Sequence, residues 1–139
     1  MKSFFQICLI LLVGSVFINC QNKKIAAPTS NYSLQSVYFD YDQDFIRGDA
    51  TGSMQGNAGY LKQHPNTTVT IEGNCDSRGT NEYNLALGQR RATSSKNYLV
   101  NLGISPSRMN TVSYGEEKQV CYNNNESCWQ RNRRVDLRR

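Results

Sequence analysis

One histidine, one tryptophan and three prolines occur among the 139 residues of the chain. With His64 as its only imidazole, the sequence lacks the material for a histidine-based metal cluster or a histidine relay. Neither a metal nor a bound cofactor is expected. Apolar segments are also short. The longest, Phe4 to Phe17, is interrupted by Gln6, Gly14 and Ser15, and falls below the roughly 20 apolar residues a membrane-spanning helix needs.

What is there at the start has a different meaning. Lys2 precedes the Phe4–Phe17 run, which has the length of the apolar region of a secretory signal. It stops at Ile18-Asn19-Cys20, and Gln21-Asn22-Lys23-Lys24 is polar. A cysteine in that position reads as a bacterial lipidation site. Residues 1–19 are then a lipoprotein signal peptide and Cys20 the acylated first residue of the mature chain. Asn19 and Phe17 stand where such signals usually carry a small residue and leucine. The competing reading is an ordinary secretory signal cut nearby, or an uncleaved anchor. Acyl chains contribute about 0.8 kcal/mol per buried CH₂, so several together anchor stably. Gln21, rather than an aspartate, points to the outer membrane, with the domain facing the periplasm.

Residues 20–34 are polar, contain Pro28 and show no apolar period, as expected of a flexible tether. Residues 35–139 are long enough for one domain with a single core. The net charge of +5 falls by one when Lys2 leaves, and five arginines crowd the last nine residues. Such a cluster can mark a nucleic-acid binder; export argues against that, and for an anionic wall polymer or membrane surface. Of five cysteines, Cys8 departs with the signal and Cys20 is acylated. Cys121 and Cys128 flank a turn-rich spacer, and in an oxidising compartment a disulfide between them is expected; two free thiols are the alternative. Cys75 is then the odd thiol, expected to be buried.

Periodicity predicts a first strand around Val37 and Phe39, and a helix from about 44 to 63 weakened by its glycines. A second strand follows over Thr67–Glu72. Thr80 caps a long helix to about Leu102, with Tyr83, Leu87, Tyr98, Leu99 and Leu102 supplying much of its apolar stripe and Gly103 ending it. A third strand lies near Thr111–Tyr114, and Arg134–Leu137 makes the last, taken as an edge strand bracketed by arginines. The fold class is α+β: a small mixed sheet of about four strands, in the order β-α-β-α-β-β, covered by two main helices.

The segment Ile71-Glu-Gly-Asn-Cys-Asp-Ser-Arg-Gly-Thr-Asn-Glu-Tyr-Asn84 is followed by Leu87-Gly-Gln-Arg-Arg-Ala92. Further on come Ser113-Tyr-Gly-Glu116 and Asn132-Arg-Arg-Val135. With Tyr38-Phe-Asp-Tyr-Asp42 ahead of them, these ordered motifs resemble the OmpA C-terminal-like family. Within it they are most similar to the peptidoglycan-associated lipoproteins, over about residues 36 to 138.

The resemblance implies a sandwich fold and non-covalent binding of the diaminopimelate-containing stem peptide of peptidoglycan. That ligand carries an ammonium and a carboxylate on one carbon, so a receptor needs an anion and a guanidinium fork. The resemblance assigns Asp76 to the ammonium and Arg91 to the carboxylate. It adds Asp42, Asn84 and Arg133 to the pocket, and Thr80 at the helix start, where free N–H groups favour a carboxylate. It further implies a β-propeller partner of the Tol system (TolB) and a role in envelope integrity and division. Asn74 and Cys75 depart from the family's usual histidine and small residue, which puts selectivity among stem diamines in question.

Plainer roles compete. Asp76 suits a helix-capping carboxylate, Arg91 a solvated helix arginine, and Trp129 a residue packing its loop on the core. Enzyme readings through Cys75 with His64, or Asp76 with Glu72 or Glu82, find no supporting signature. Two functions remain: a wall-binding membrane tether, or an envelope protein-interaction module whose pocket has drifted.

Overall fold

Four short strands and two main helices build one layer of sheet and one of helix. The computed structural model describes residues 33–139; the expected signal peptide, Cys20 and the tether as far as residue 32 lie outside the described residues. In chain order the elements are β1 (Val37–Tyr38), α1 (Thr51–Gln63), β2 (Val69–Asn74), α2 (Asn81–Asn101), β3 (Met109–Gly115), α3 (Glu126–Asn132) and β4 (Arg134–Arg138). Short 3-10 turns at Gly48–Ala50 and Pro106–Arg108 lead into α1 and β3. Among the described residues no helix is long and apolar enough to cross a membrane.

The sheet order is β1-β4-β2-β3, with β2 and β3 parallel and β4 antiparallel to both of its neighbours. The parallel pair requires a crossover, which α2 supplies. Val37, Phe39, Val69, Ile71, Met109, Val135 and Leu137 from the strand segments meet Met54, Ala58 and Leu61 of α1 and Ala92 and Leu99 of α2 in a single core. A fully buried aliphatic or aromatic side chain contributes about 1.5–3 kcal/mol, so this cluster dominates the stability of the fold.

Several expectations are corrected. β4 lies in the sheet interior rather than at its edge, because the chain returns between β1 and β2. The two main helices, α1 and α2, are joined by a short third: Asn125 caps α3 by accepting from the Cys128 N–H at 3.0 Å. The first helix starts at Thr51, not near residue 44. The carbonyls of Asp40 and Gln43, at the start of the intervening loop, accept instead from the Arg91 side chain. Tyr83 is not part of the apolar stripe and is 45% exposed. The face of α2 against the sheet runs through Asn84, Leu87, Gly88, Arg91, Ser95 and Leu99, and is polar at its N-terminal end and apolar at the other.

Candidate functional site

That polar end of α2 sits where three chain segments converge. β2 ends at Asn74 and leads into Cys75-Asp76. β4 runs antiparallel, so its start lies beside the end of β2, with Gly73 opposite Val135. Arg133, just ahead of β4, thereby reaches Asp76 across 57 positions. β1 pairs Tyr38 with Arg134, which brings the loop after it to the same end of the sheet. The result is a cleft of about 200 Å³ lined by Tyr41, Asp42, Cys75, Asp76, Arg78, Tyr83, Asn84, Arg91 and Arg133, among others.

Asp76 forms the anionic centre, its side chain 4% exposed. Its Oδ2 accepts from Arg78 Nη2 at 2.7 Å and Arg133 Nη1 at 3.0 Å. Its Oδ1 accepts from the backbone N–H and Nε of Arg78 at 3.0 and 3.2 Å. It does not cap α2; Thr80 does, accepting from the Tyr83 N–H at 3.2 Å. Burial raises the Asp76 carboxyl, but the hydrogen bonds from Arg78 and Arg133 outweigh it and hold the group below the usual carboxylate range.

A carboxylate with a depressed folded pKa stabilises the fold above its unfolded value of about 4, and that contribution is lost as pH falls through the folded value. Stability should therefore be level from neutral pH to about 5 and decline below about 4. Asp76→Asn should be less stable at pH 7 and show a flatter acid limb in urea midpoints taken against pH. An equally steep limb would assign the acid sensitivity to other carboxylates.

Arg91 is fully buried, not a solvated helix arginine. Its Nε donates to the Gln43 carbonyl at 2.8 Å, Nη1 to Asn74 at 3.0 Å and Nη2 to Asp40 at 3.0 Å. One guanidinium thus fastens the loop after β1 to the end of β2. Burial lowers its pKa, yet a guanidinium stays charged. Among the described residues it is the one arginine of the cleft without a carboxylate within ion-pair distance. A buried cation without an anion leaves a field for which a ligand carboxylate is the natural complement.

The other expected residues divide. Asn84 is buried and spans the cleft, donating to the Asp76 carbonyl at 3.2 Å and to Glu116 Oε2 at 2.7 Å. Asp42 lies at the rim with φ 56°, a left-handed conformation uncommon outside glycine, and accepts from the Tyr83 hydroxyl. Thr80 is absent from the lining; its role is the cap. Asn74, the departure from the family's histidine, turns its amide away from the cleft toward the Glu72 and Arg134 carbonyls. Cys75 does line the cleft; burial pushes its thiol up to about 11, so it is a neutral wall. Cys121 and Cys128 are joined in a disulfide, and among the described residues Cys75 is the free thiol, buried.

Sequence reasoning missed Arg78, Glu126 and the contact that Trp129 makes. Arg78 lies between the rings of Tyr41 and Trp129, at 4.0 and 4.1 Å from their centroids. α3 brings Trp129 against Arg78, and the Asn125 cap was the available signal for that helix. Among the described residues no three His, Cys, Asp or Glu side chains converge on a cation site.

Comparison with known proteins agrees with this architecture. The chain is 48% identical over 99 residues to a peptidoglycan-associated lipoprotein of Agrobacterium fabrum, a match covering 71% of this chain and 56% of that one. It therefore spans little more than half of that relative's length. A peptidoglycan-associated lipoprotein of Pasteurella multocida is 36% identical over 99% of both chains. The crystal structure of the peptidoglycan-associated lipoprotein from Burkholderia pseudomallei superposes with a TM-score of 0.72 at 45% identity, covering 75% of this chain and 88% of that one. The model of the OmpA family matches residues 38–133, most of the described domain and every residue that lines the cleft, and the chain belongs to that family.

Proposed function

We propose that this chain is a lipid-anchored envelope tether whose cleft holds peptidoglycan through the free α-amino-acid head of a diaminopimelate stem peptide. The observation that carries the reading is the charge arrangement of the cleft. A buried carboxylate, Asp76, and a buried guanidinium lacking an anion, Arg91, converge there. A head group with ammonium and carboxylate on one carbon complements both. Asn84, Arg133 and Asp42 shape the same cleft, and the chemistry asked of them is selective holding, not bond making. The relatives' names support the ligand class.

The surrounding parts of the proposal follow from the sequence. Residues 1–19 direct export, Cys20 carries the lipid in the outer membrane, and residues 20–34 let the domain at 35–139 reach the wall. A TolB-like β-propeller is the proposed protein partner, linking the tether to envelope integrity and division. The basic C-terminus offers less to a non-specific wall contact than its composition suggests. Arg134 is buried and donates to Asp136 at 3.0 Å, and Arg139 donates to the Tyr60 hydroxyl at 2.8 Å.

The test is co-sedimentation of residues 21–139 with purified sacculi. Wild type should pellet and be released by free diaminopimelate. Asp76→Asn and Arg91→Lys should each weaken binding about 10- to 100-fold, as expected for a lost charge-assisted contact. Undiminished pelleting of both variants would return the wall contact to the arginine-rich end. No pelleting of wild type would favour the protein-interaction module.

A further inference from the structure

The carboxylate that the ligand's ammonium would seek is already occupied. Asp76 holds two guanidinium groups, and they are not equivalent. Arg133 is 3% exposed and is fixed from several sides, by the Phe39 carbonyl at 3.1 Å, Gln130 and Glu126. Arg78 is 30% exposed and enters from the rim. Its side chain holds Asp76 by two hydrogen bonds and lies between the Tyr41 and Trp129 rings. A second carboxylate waits at the outer edge of that slot: Glu126 Oε2 is 3.6 Å from Arg78 Nη2, and Glu126 is 63% exposed. One partly exposed guanidinium thus faces two carboxylates, one buried and one at the surface.

We propose that Arg78 is an exchangeable latch and a specificity-determining residue of the cleft. In the free protein it stands where the ligand's cation will stand. An incoming ammonium displaces it from Asp76, and Arg78 moves outward onto Glu126, vacating the slot between Tyr41 and Trp129. The exchange is cation for cation, so the buried carboxylate keeps its compensation throughout. A head group without a positive charge cannot make the exchange, because it would leave Asp76 with less compensation than Arg78 provides. The cleft therefore selects for an amine before any detail of shape is read. Its apparent affinity is reduced by the fraction of molecules in which the latch is closed. This rests on the reading of the cleft as an α-amino-acid site.

Trp129 is the only tryptophan in the chain, so its emission reports directly on the slot. Residues 21–139 would be titrated with diaminopimelate, and in parallel with its N,N′-diacetyl derivative, following Trp129 fluorescence and, independently, heat of binding. Wild type should bind the free diamine with a change in emission and should not bind the diacetyl form. Arg78→Met should begin with an altered emission and bind diaminopimelate about tenfold more tightly. Arg78→Lys keeps the charge but loses the fork, and should tighten binding by a smaller factor; it serves if the methionine variant fails to fold. Equal or weaker binding by a folded Arg78 variant would overturn the latch and leave the cleft reading intact. Equal binding of the diacetyl form by wild type would also overturn it. Absence of diaminopimelate binding to wild type and variants alike would remove the cleft reading, and the latch with it.

Discussion

Replacing Gly73 with alanine should destabilise the domain by about 3 kcal/mol or more, at the upper end of what overpacking costs. A Cβ built at Gly73 lies 1.9 Å from the carbonyl oxygen of Gly88 and 2.5 Å from its carbon. The obstacle is helix backbone, which cannot rotate aside as a flexible side chain would. At Gly88 a Cβ would meet Ser113 Oγ at 2.3 Å and the Gly73 carbonyl oxygen at 2.9 Å. α2 therefore crosses β2 with bare backbone against bare backbone, and any side chain there pushes the two apart. Because β2 leads into Asp76 and α2 carries Asn84 and Arg91, the same displacement would open the cleft.

The measurement is a urea or thermal unfolding curve, where each 1 kcal/mol moves the midpoint by roughly 4–8 °C in a domain of this size. Gly59→Ala is the control: nothing lies within 4 Å of a Cβ there, and within α1 it should stabilise by about 0.5–1 kcal/mol. Equal tolerance at Gly73 and Gly59 would mean that the helix can lift off the sheet at little cost.

Arg91→Ala should be the second severe change, costing about 3 kcal/mol before any ligand is considered. It removes the donors to three carbonyls, those of Asp40, Gln43 and Asn74. The bond to Asn74 is buried, and its orphaned acceptor costs about 1–3 kcal/mol; those to Gln43 and Asp40 are partly buried, so water recovers part of their loss. Relief from burying the charge offsets another part. An unfolding midpoint unchanged from wild type would show that the loop after β1 finds other partners. The consequence for binding assays is practical. Loss of sacculus binding by Arg91→Ala would conflate a missing ligand contact with a displaced loop, whereas Arg91→Lys retains the charge and much of the volume.

Much of the architecture was legible in the chain because it is written in local rules. Thr80 caps α2 and Gly103 follows its end; the β-branched run ending at Glu72 lies largely within β2, and the Arg134–Leu137 alternation lies within β4. Where legibility failed, a distant group had taken over a local one. The loop after Asp40 contains helix-compatible residues, but its carbonyls are claimed by Arg91, roughly fifty positions away. Tyr83 fits an apolar stripe by spacing, yet the close approach of Gly88 to Gly73 sets which face of α2 meets the sheet, and Tyr83 falls at the rim.

The sequence by itself determined the family, the order of most elements and the membership of Asp42, Asp76, Asn84, Arg91 and Arg133 in one motif set, since ordered motifs survive as spacing along a chain. Only the tertiary structure decided what those charges do to each other. Placing β4 between β1 and β2 delivers Arg133 to Asp76, and the short capped α3 delivers Trp129 and Glu126 to Arg78. Coulombic and hydrogen-bond partnerships depend on distances of a few ångströms between groups far apart in sequence, and those distances are fixed by sheet order and helix packing.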